Sequence, residues 1–208
     1  MKIIPASFEI LNMQEPLMIM KNIEAYGRIC YKSESAISEG TADAFIRKII
    51  KSGHESVIEH EKITVKVICD RGVTHEIVRH RIASYSQEST RYCNYAKDKF
   101  GNELIFIKPC FWDTDSIAFH IWQKQMEMVE KNYIELISGG ALPEQARSIL
   151  PNSLKTEIVI TMNLREWRHF FKLRTSKRAH PQMREISIPI FTKMKELLPP
   201  VFDDMELD

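Results

Sequence analysis

The chain has no C-x-x-C pair. Its four cysteines, Cys30, Cys69, Cys93 and Cys110, are scattered. That spacing suggests neither a disulfide framework nor a zinc ribbon, and the thiols read as reduced in a cytoplasmic protein. No apolar run approaches the length of a membrane span, so no membrane partner is expected. The N-terminal MKIIPASFEI holds one lysine and a short apolar run broken by Glu9, which is not the layout of a secretory signal. Net charge is only +1 over 208 residues. A general nucleic-acid footprint needs a basic excess, so nucleic acid is not expected as a partner and any basic cluster must be local. G-x-G-x-x-G and Walker sequences are both absent, so a nucleotide cofactor would not sit on a Rossmann or P-loop fold. There is no internal repeat and no low-complexity segment.

What is present is ordinary for a globular protein, with 44% hydrophobic and 27% charged residues. Residues 1–208 read as a single domain. Residues 2–11 suggest a strand, with Pro5 suited only to an edge. Pro16 opens a helix to about Tyr26. Thr41 serves as the N-cap of a helix through Ser52, and Gly53 ends it. Ile63, Val65 and Val67 alternate with Lys62, Thr64 and Lys66, as in a half-buried antiparallel strand. Asp70-Arg71-Gly72 reads as a turn, and Val73, Ile77 and Val78 as a short helix. Leu104 to Ile107 suits a short strand.

From Ser116 to Ser138 the apolar positions keep helical spacing, and Gly139-Gly140 stops it. Pro143 opens a short helix carrying Arg147, and Pro151 closes it. Thr156 to Met162 is apolar on both faces and reads as a central strand. Asn163 and Glu166 form an Asn-x-x-Glu capping box for a helix whose Leu164, Trp167, Phe170 and Phe171 face the core. A last helix covers Pro181 to Leu198, and the acidic tail VFDDMELD reads as loose. The sum is an α+β class fold: a small, mostly antiparallel sheet surrounded by helices.

Chemistry concentrates between Arg79 and Tyr92, in RHRIASYSQESTRY. Arg79, Arg81 and Arg91 supply guanidinium forks, and Ser84, Ser86, Ser89 and Thr90 supply hydroxyls. Both are groups that hold phosphate oxygens. Tyr85 and Tyr92 could stack on a flat ring. The stretch, read here as a loop, suits an anionic planar ligand such as a nucleotide. On composition alone, a solvated basic loop is the leading reading. A second polar segment runs His54-Glu55-Ser56-Val57-Ile58-Glu59-His60. Its histidines are six apart, so they do not share a helix face, and metal binding is not expected. On spacing alone, this segment is a polar loop entering a strand or part of a ligand site.

Arg79-His80-Arg81, seven residues, then Ser89, with Arg91-Tyr92 following, resembles the RHR-x7-S signature of flavin-dependent thymidylate synthases. Gly53-His54-Glu55 with Glu59-His60 resembles a second segment of that family. Together the similarity covers most of the chain, from His54 to His180. It implies reductive methylation of dUMP to dTMP. NADPH would reduce a bound FAD, the reduced flavin would deliver hydride, and methylenetetrahydrofolate would give the carbon. It also implies a homotetramer with shared active sites.

By the same resemblance, His54, Ser56, Arg79, His80, Arg81, Gln87, Asn163, Arg165 and His169 would contact FAD. Glu76, Arg79, Gln87, Glu88, Ser89, Thr90, Arg91 and Arg147 would contact dUMP, and Arg147 lies in an A-R-x-x-L-P segment. Arg174 would touch dUMP and polarise the uracil ring. A fixed guanidinium stabilises the charge that ring gains on accepting hydride. Simpler roles exist for several of these residues. Asn163 caps a helix, His169 would suit a surface, and Arg165 and Arg168 would suit a solvated helix face. Glu76 departs from the glutamine that members often carry. The Arg174 to His180 stretch is longer than in some members.

Three other functions compete with this one. A non-catalytic nucleotide- or RNA-binding module could use the basic loop, but it would show a broad basic surface, which the near-neutral charge disfavours. A metal phosphohydrolase could draw on His54, His60, His75 and His80, but there is no His-Asp dipeptide and no acid at ligand spacing. A thymidylate synthase with a cysteine nucleophile would have to use Cys93, whose neighbours Tyr92 and Asn94 offer no activation in sequence.

Overall fold

The computed structural model describes residues 1–207; Asp208, at the end of the acidic tail, lies outside the described residues. In chain order the strands and helices are β1 (Lys2–Ile4), β2 (Ser7–Asn12), α1 (Pro16–Ile29), α2 (Thr41–Lys51), β3 (Lys62–Asp70), α3 (Arg71–Ile77), β4 (Ala83–Gln87), β5 (Ile105–Ile107), α4 (Ile117–Ser138), α5 (Pro143–Ala146), β6 (Lys155–Asn163), α6 (Leu164–Arg174), α7 (Pro181–Leu197) and α8 (Pro199–Phe202). This is an α+β fold. No helix among the described residues is long and apolar enough to cross a membrane.

Period-two burial makes β3 and β6. Ile63, Val65, Val67 and Cys69 are buried on β3, and Thr156, Ile158, Ile160 and Met162 on β6. The four-stranded sheet has the order β2-β3-β6-β4, so the expected central strand is central. The Leu164 N–H donates to the Glu61 carbonyl at one end, and the Arg71 N–H to the Leu154 carbonyl at the other. β3 and β6 are therefore antiparallel. β1 and β5 form a separate parallel pair, with Lys2 opposite Ile105 and Ile4 opposite Ile107. The expectation of one strand over residues 2–11 is corrected by Pro5, which has no N–H and separates β1 from β2.

The described residues cluster into two compact units. The first unit comprises Met1–Ser7, Val67–Arg79 and Ser86–Val159, and the second takes Phe8–Lys66, His80–Tyr85 and the chain from Ile160 onward. In the first, α4 presents Phe119, Trp122, Met126, Val129 and Tyr133 to Tyr95, Leu104, Phe106 and Leu154. Ser116 caps α4 by accepting from the Phe119 N–H at 3.2 Å.

In the second unit, Trp167, Phe170 and Phe171 of α6 pack with Phe191 of α7 and Phe202 of α8. Helices α1 and α2 approach closely at Gly27, where an added Cβ would lie 2.6 Å from the Phe45 ring. The buried Glu24 carboxylate joins them, accepting from Arg28 at 2.8 Å and from the Thr41 hydroxyl at 3.0 Å.

Several local expectations are revised. Gly40, at φ 82°, is the N-cap of α2, and Thr41 is its first helical residue. Gly53 does end that helix, at φ 73°: its N–H and that of His54 return to the Ile50 and Ile49 carbonyls. The His54 to His60 segment is a 3₁₀ turn over Glu55–His60. Asp70 caps α3 through the Val73 N–H at 2.7 Å, so Arg71 and Gly72 are helical. Part of the signature is strand β4, whose half-buried Ala83, Tyr85 and Gln87 alternate with exposed Ser84 and Ser86. The tail is anchored: Val201 and Phe202 are buried, and Asp203 and Asp204 pair with Arg47 and Arg168.

Candidate active site

The second unit holds a cluster centred on His80, which is 4% exposed. Its Nδ1 lies 3.0 Å from Glu166 Oε1, and its Nε2 accepts from Arg174 Nε at 3.1 Å. Guanidinium nitrogens only donate, so Nε2 carries the lone pair and the proton is on Nδ1. The ring rests on Phe170, 4.9 Å between centroids, and meets His169 edge-on at 5.5 Å. The Tyr85 hydroxyl donates to the His80 carbonyl at 2.6 Å. Burial pushes the His80 pKa below its ordinary 6.5, against the pull of Glu166. Burial, with Glu166 nearby, pushes the Tyr85 hydroxyl up to about 12.

Helix α6 supplies most of this group. Asn163 caps it, accepting from the Glu166 N–H at 2.9 Å. The Glu166 carboxylate, expected to complete a capping box, is instead directed to His80. A cleft of about 990 Å³ opens on the same helix, and Asn163, Arg165, Glu166, His169 and Lys172 are among its lining residues. Arg165 is exposed and ion-paired with Glu59 and Glu55. Arg168 does not merely solvate the helix. It is buried, bonds the Val201 carbonyl and pairs with Asp204 and Glu55. His54 is exposed, its Nδ1 2.8 Å from the Tyr31 hydroxyl, and Ser56 is exposed beside it.

His80, Glu166 and His169 also bring three ligand-type atoms within 4.8 Å of one another, the grouping of this kind found among the described residues. Both His80 nitrogens are engaged, and a guanidinium stands on its lone pair. A cation placed there would meet a fixed positive charge. Glu166 and His80 read better as links in a hydrogen-bond relay to Arg174 than as a metal centre.

The first unit holds the residues expected around the nucleotide, with Arg174 the exception. Arg79 is exposed just past α3, and Glu76 is half-buried within it. Gln87 Nε2 donates to the Thr74 and Thr156 hydroxyls at 3.0 and 3.3 Å. Glu88 accepts from the Tyr95 hydroxyl at 2.7 Å and from Lys155 at 2.9 Å. Burial lowers the Lys155 pKa, but Glu157 and Glu88 outweigh it and the net shift is upward. The Ser89 carbonyl and hydroxyl hold the Cys93 and Arg91 N–H groups in a turn, and Thr90 is buried. Arg91 is exposed and pairs with Glu144 of α5 at 3.0 Å, three residues before exposed Arg147.

The expected flavin contacts divide between the units. His54, Ser56, His80, Arg81, Asn163, Arg165 and His169 belong to the second, Arg79 and Gln87 to the first. Sequence reasoning did not single out Glu166, which meets His80, or Arg71, Tyr95 and Lys155, which meet Glu88. An Asn-x-x-Glu start explains Glu166 without its carboxylate's real partner. Arg71 Nη1 donates to the Glu88 carbonyl at 3.3 Å and to the Thr156 hydroxyl at 3.4 Å, contacts 17 and 85 residues away in sequence.

The α+β fold is one also seen in a nucleotide methylase. A solved structure of a UMP/dUMP methylase, PolB from Streptomyces cacaoi bound with 5-Br dUMP, matches with a TM-score of 0.77 at 23% identity, covering 98% of this chain and 96% of that one. The family model described as "Thymidylate synthase complementing protein" matches residues 17–200. The flavin-dependent thymidylate synthase of Pyrococcus furiosus is 39% identical over 173 residues, 83% of this chain and 70% of that protein. The one of Geobacter sulfurreducens is 34% identical over 184 residues, 85% of this chain and 78% of its own length. The chain belongs to the family of flavin-dependent thymidylate synthases.

Proposed function

We infer that the chain converts dUMP to dTMP with methylenetetrahydrofolate as carbon donor and NADPH as reductant of a bound FAD. One observation carries the reading. Helix α6 places Asn163, Arg165 and His169 beside a cleft of about 990 Å³ and sets Arg174 against His80. Four residues that the family likeness gives to flavin thereby gather with the one it gives to the uracil ring.

The cleft suits a flavin. Its volume lies in the range of cofactor sites, and Arg165 and Lys172 offer exposed cations on its wall to a diphosphate. When bound and reduced, the flavin supplies the hydride. Arg165 would leave Glu59 for the cofactor's phosphates, and Asn163 and His169 would orient it. Arg174 would hold the uracil carbonyls and stabilise the negative charge that grows on them. Arg79, Arg91 and Arg147 would take the nucleotide phosphate, with Ser89 and Thr90 shaping the turn behind it. Homotetramerisation in the cytoplasm completes the proposal.

The test is direct. Purified protein incubated with FAD should turn yellow and bleach with NADPH, and it should form dTMP when given dUMP and methylenetetrahydrofolate. A protein that never retains flavin overturns the reading.

A further inference from the structure

We propose that Glu166 is a positioning residue for the Arg174 guanidinium and acts through the His80 ring. The proposal rests on the assignment of Arg174 given above. Glu166 Oε1, His80 Nδ1, His80 Nε2 and Arg174 Nε form one chain of hydrogen bonds, with links of 3.0 and 3.1 Å.

Each link fixes the next. A neutral imidazole has one N–H and one lone pair, and which nitrogen carries which is set by its partners. Glu166 accepts the Nδ1 proton. Nε2 is then left as an acceptor, and Arg174 Nε–H is the donor that meets it. Holding Nε fixes the plane of a guanidinium, because the group is flat and rigid. The two terminal nitrogens then point in one direction. Were the His80 proton on Nε2, it would confront the Nε–H of Arg174, and the fork would have to swing away.

The surroundings keep the relay in place. Phe170 and His169 pack against the His80 ring, and the Tyr85 hydroxyl holds its backbone carbonyl. Glu166 is 7% exposed, and its backbone N–H is tied to Asn163. A carboxylate so placed is costly unless it is hydrogen-bonded, and His80 is the partner it has. As an ordinary helix cap it would face the N-cap N–H and not the ring.

Two variants test this. Glu166→Gln keeps an oxygen that can accept from Nδ1, whereas Glu166→Leu removes the acceptor. The first readout is the ¹⁵N spectrum of the His80 imidazole in cofactor-free protein, which distinguishes the two tautomers. Wild type and Glu166→Gln should show the proton on Nδ1, and Glu166→Leu should move it to Nε2 wholly or in part. The second readout is the rate of flavin oxidation by dUMP and the folate in FAD-loaded protein. Glu166→Leu should lose on the order of 10²-fold, the scale of a misplaced catalytic group, and Glu166→Gln should recover most of it.

A wild-type proton on Nε2, or an unchanged tautomer in Glu166→Leu, overturns the proposal without any reference to activity. So does a tautomer change with no loss of rate while Arg174→Ala remains slow. If Arg174→Ala is itself at wild-type rate, the reading of Arg174 fails and this one with it, even though the spectra stand. If Glu166→Leu does not fold, the tautomer in wild type and the rate of Glu166→Gln still decide, because an Nδ1 proton and a near-native rate are both required.

Discussion

Asp204, in the acidic tail, holds Arg168 of α6 at two points, 2.6 and 2.7 Å. Arg168 is 9% exposed, so the pair closes a buried guanidinium that also bonds the Val201 carbonyl. The attraction is mutual. Hydrogen bonding to Arg168 holds the Asp204 carboxyl below its usual range, and Asp204 raises Arg168 against the burial that would lower it.

Asp204→Ala should therefore destabilise the protein although its segment reads as loose in the sequence. Asp204 is half-exposed, so the loss is roughly 1–3 kcal/mol and not the larger cost of breaking a fully buried pair. Urea denaturation monitored by tryptophan fluorescence measures it. Asp203→Ala, which touches the exposed Arg47, should cost less.

Arg174→Ala should slow dUMP-dependent flavin oxidation by on the order of 10²–10³-fold and leave flavin reduction by NADPH much less affected. Arg174→Lys should recover only part, since an ammonium cannot bond His80 and reach the ring carbonyls as a planar fork does. Stopped-flow absorbance at the flavin band follows both half-reactions. A wild-type oxidation rate in Arg174→Ala would leave it a helix-end cation, worth under a factor of ten.

Arg91→Ala and Arg147→Ala should each weaken dUMP binding by roughly 1.5–3 kcal/mol, with FAD binding little changed. In the proposed role Arg91 would exchange Glu144 for the nucleotide, so Glu144→Gln should tighten dUMP by less than about 1 kcal/mol, the scale of an exposed ion pair. Calorimetric titration of dUMP and FAD separates the two ligands. Parallel loss of both in the arginine variants would indicate a folding defect.

Stability should fall as pH drops from about 6.5. The folded His80 resists the proton because burial lowers its pKa, and Arg174 and His169 face it, opposed by Glu166 on the same helix and with the Tyr85 hydroxyl on its carbonyl. The unfolded chain binds that proton first, so acid favours unfolding through the window below 6.5. Chemical denaturation at pH about 7.5 and about 5.5 should show a steeper loss in wild type than in His80→Gln. Equal losses would place the titration elsewhere.

Cys93→Ser should keep most dTMP-forming activity, because the hydride route needs no enzyme thiol on the ring. Cys93 is half-buried near Tyr95 and Tyr133. Complete loss of product with flavin still bound would favour a cysteine mechanism.

Elements whose cause is local were legible in the sequence. Ile63, Val65 and Val67 announced β3 by alternation, and Asn163 announced the start of α6. Strand β4 was not legible, because its inward positions are Ala83, Tyr85 and Gln87 and its outward ones serine, a pattern with little apolar contrast. Pairings across sequence were closed to inspection too. His80 and Glu166 are 86 residues apart, and Arg168 and Asp204 are 36 apart. The tail looked loose because its aspartates carry no sign of the arginines they meet. The candidate site residues came from the RHR-x7-S likeness; their hydrogen-bond partners came from the fold.

Glu88 sits inside the signature, yet its carboxylate ties Tyr95 to Lys155. Genetic screens that score growth would therefore not separate loss of this brace from loss of the nucleotide contact expected of Glu88. Losing this brace would expose Tyr95, which belongs to the α4 core, and lower the amount of intact enzyme in the cell. Soluble yield and melting temperature should be measured before any Glu88 phenotype is counted as loss of substrate recognition.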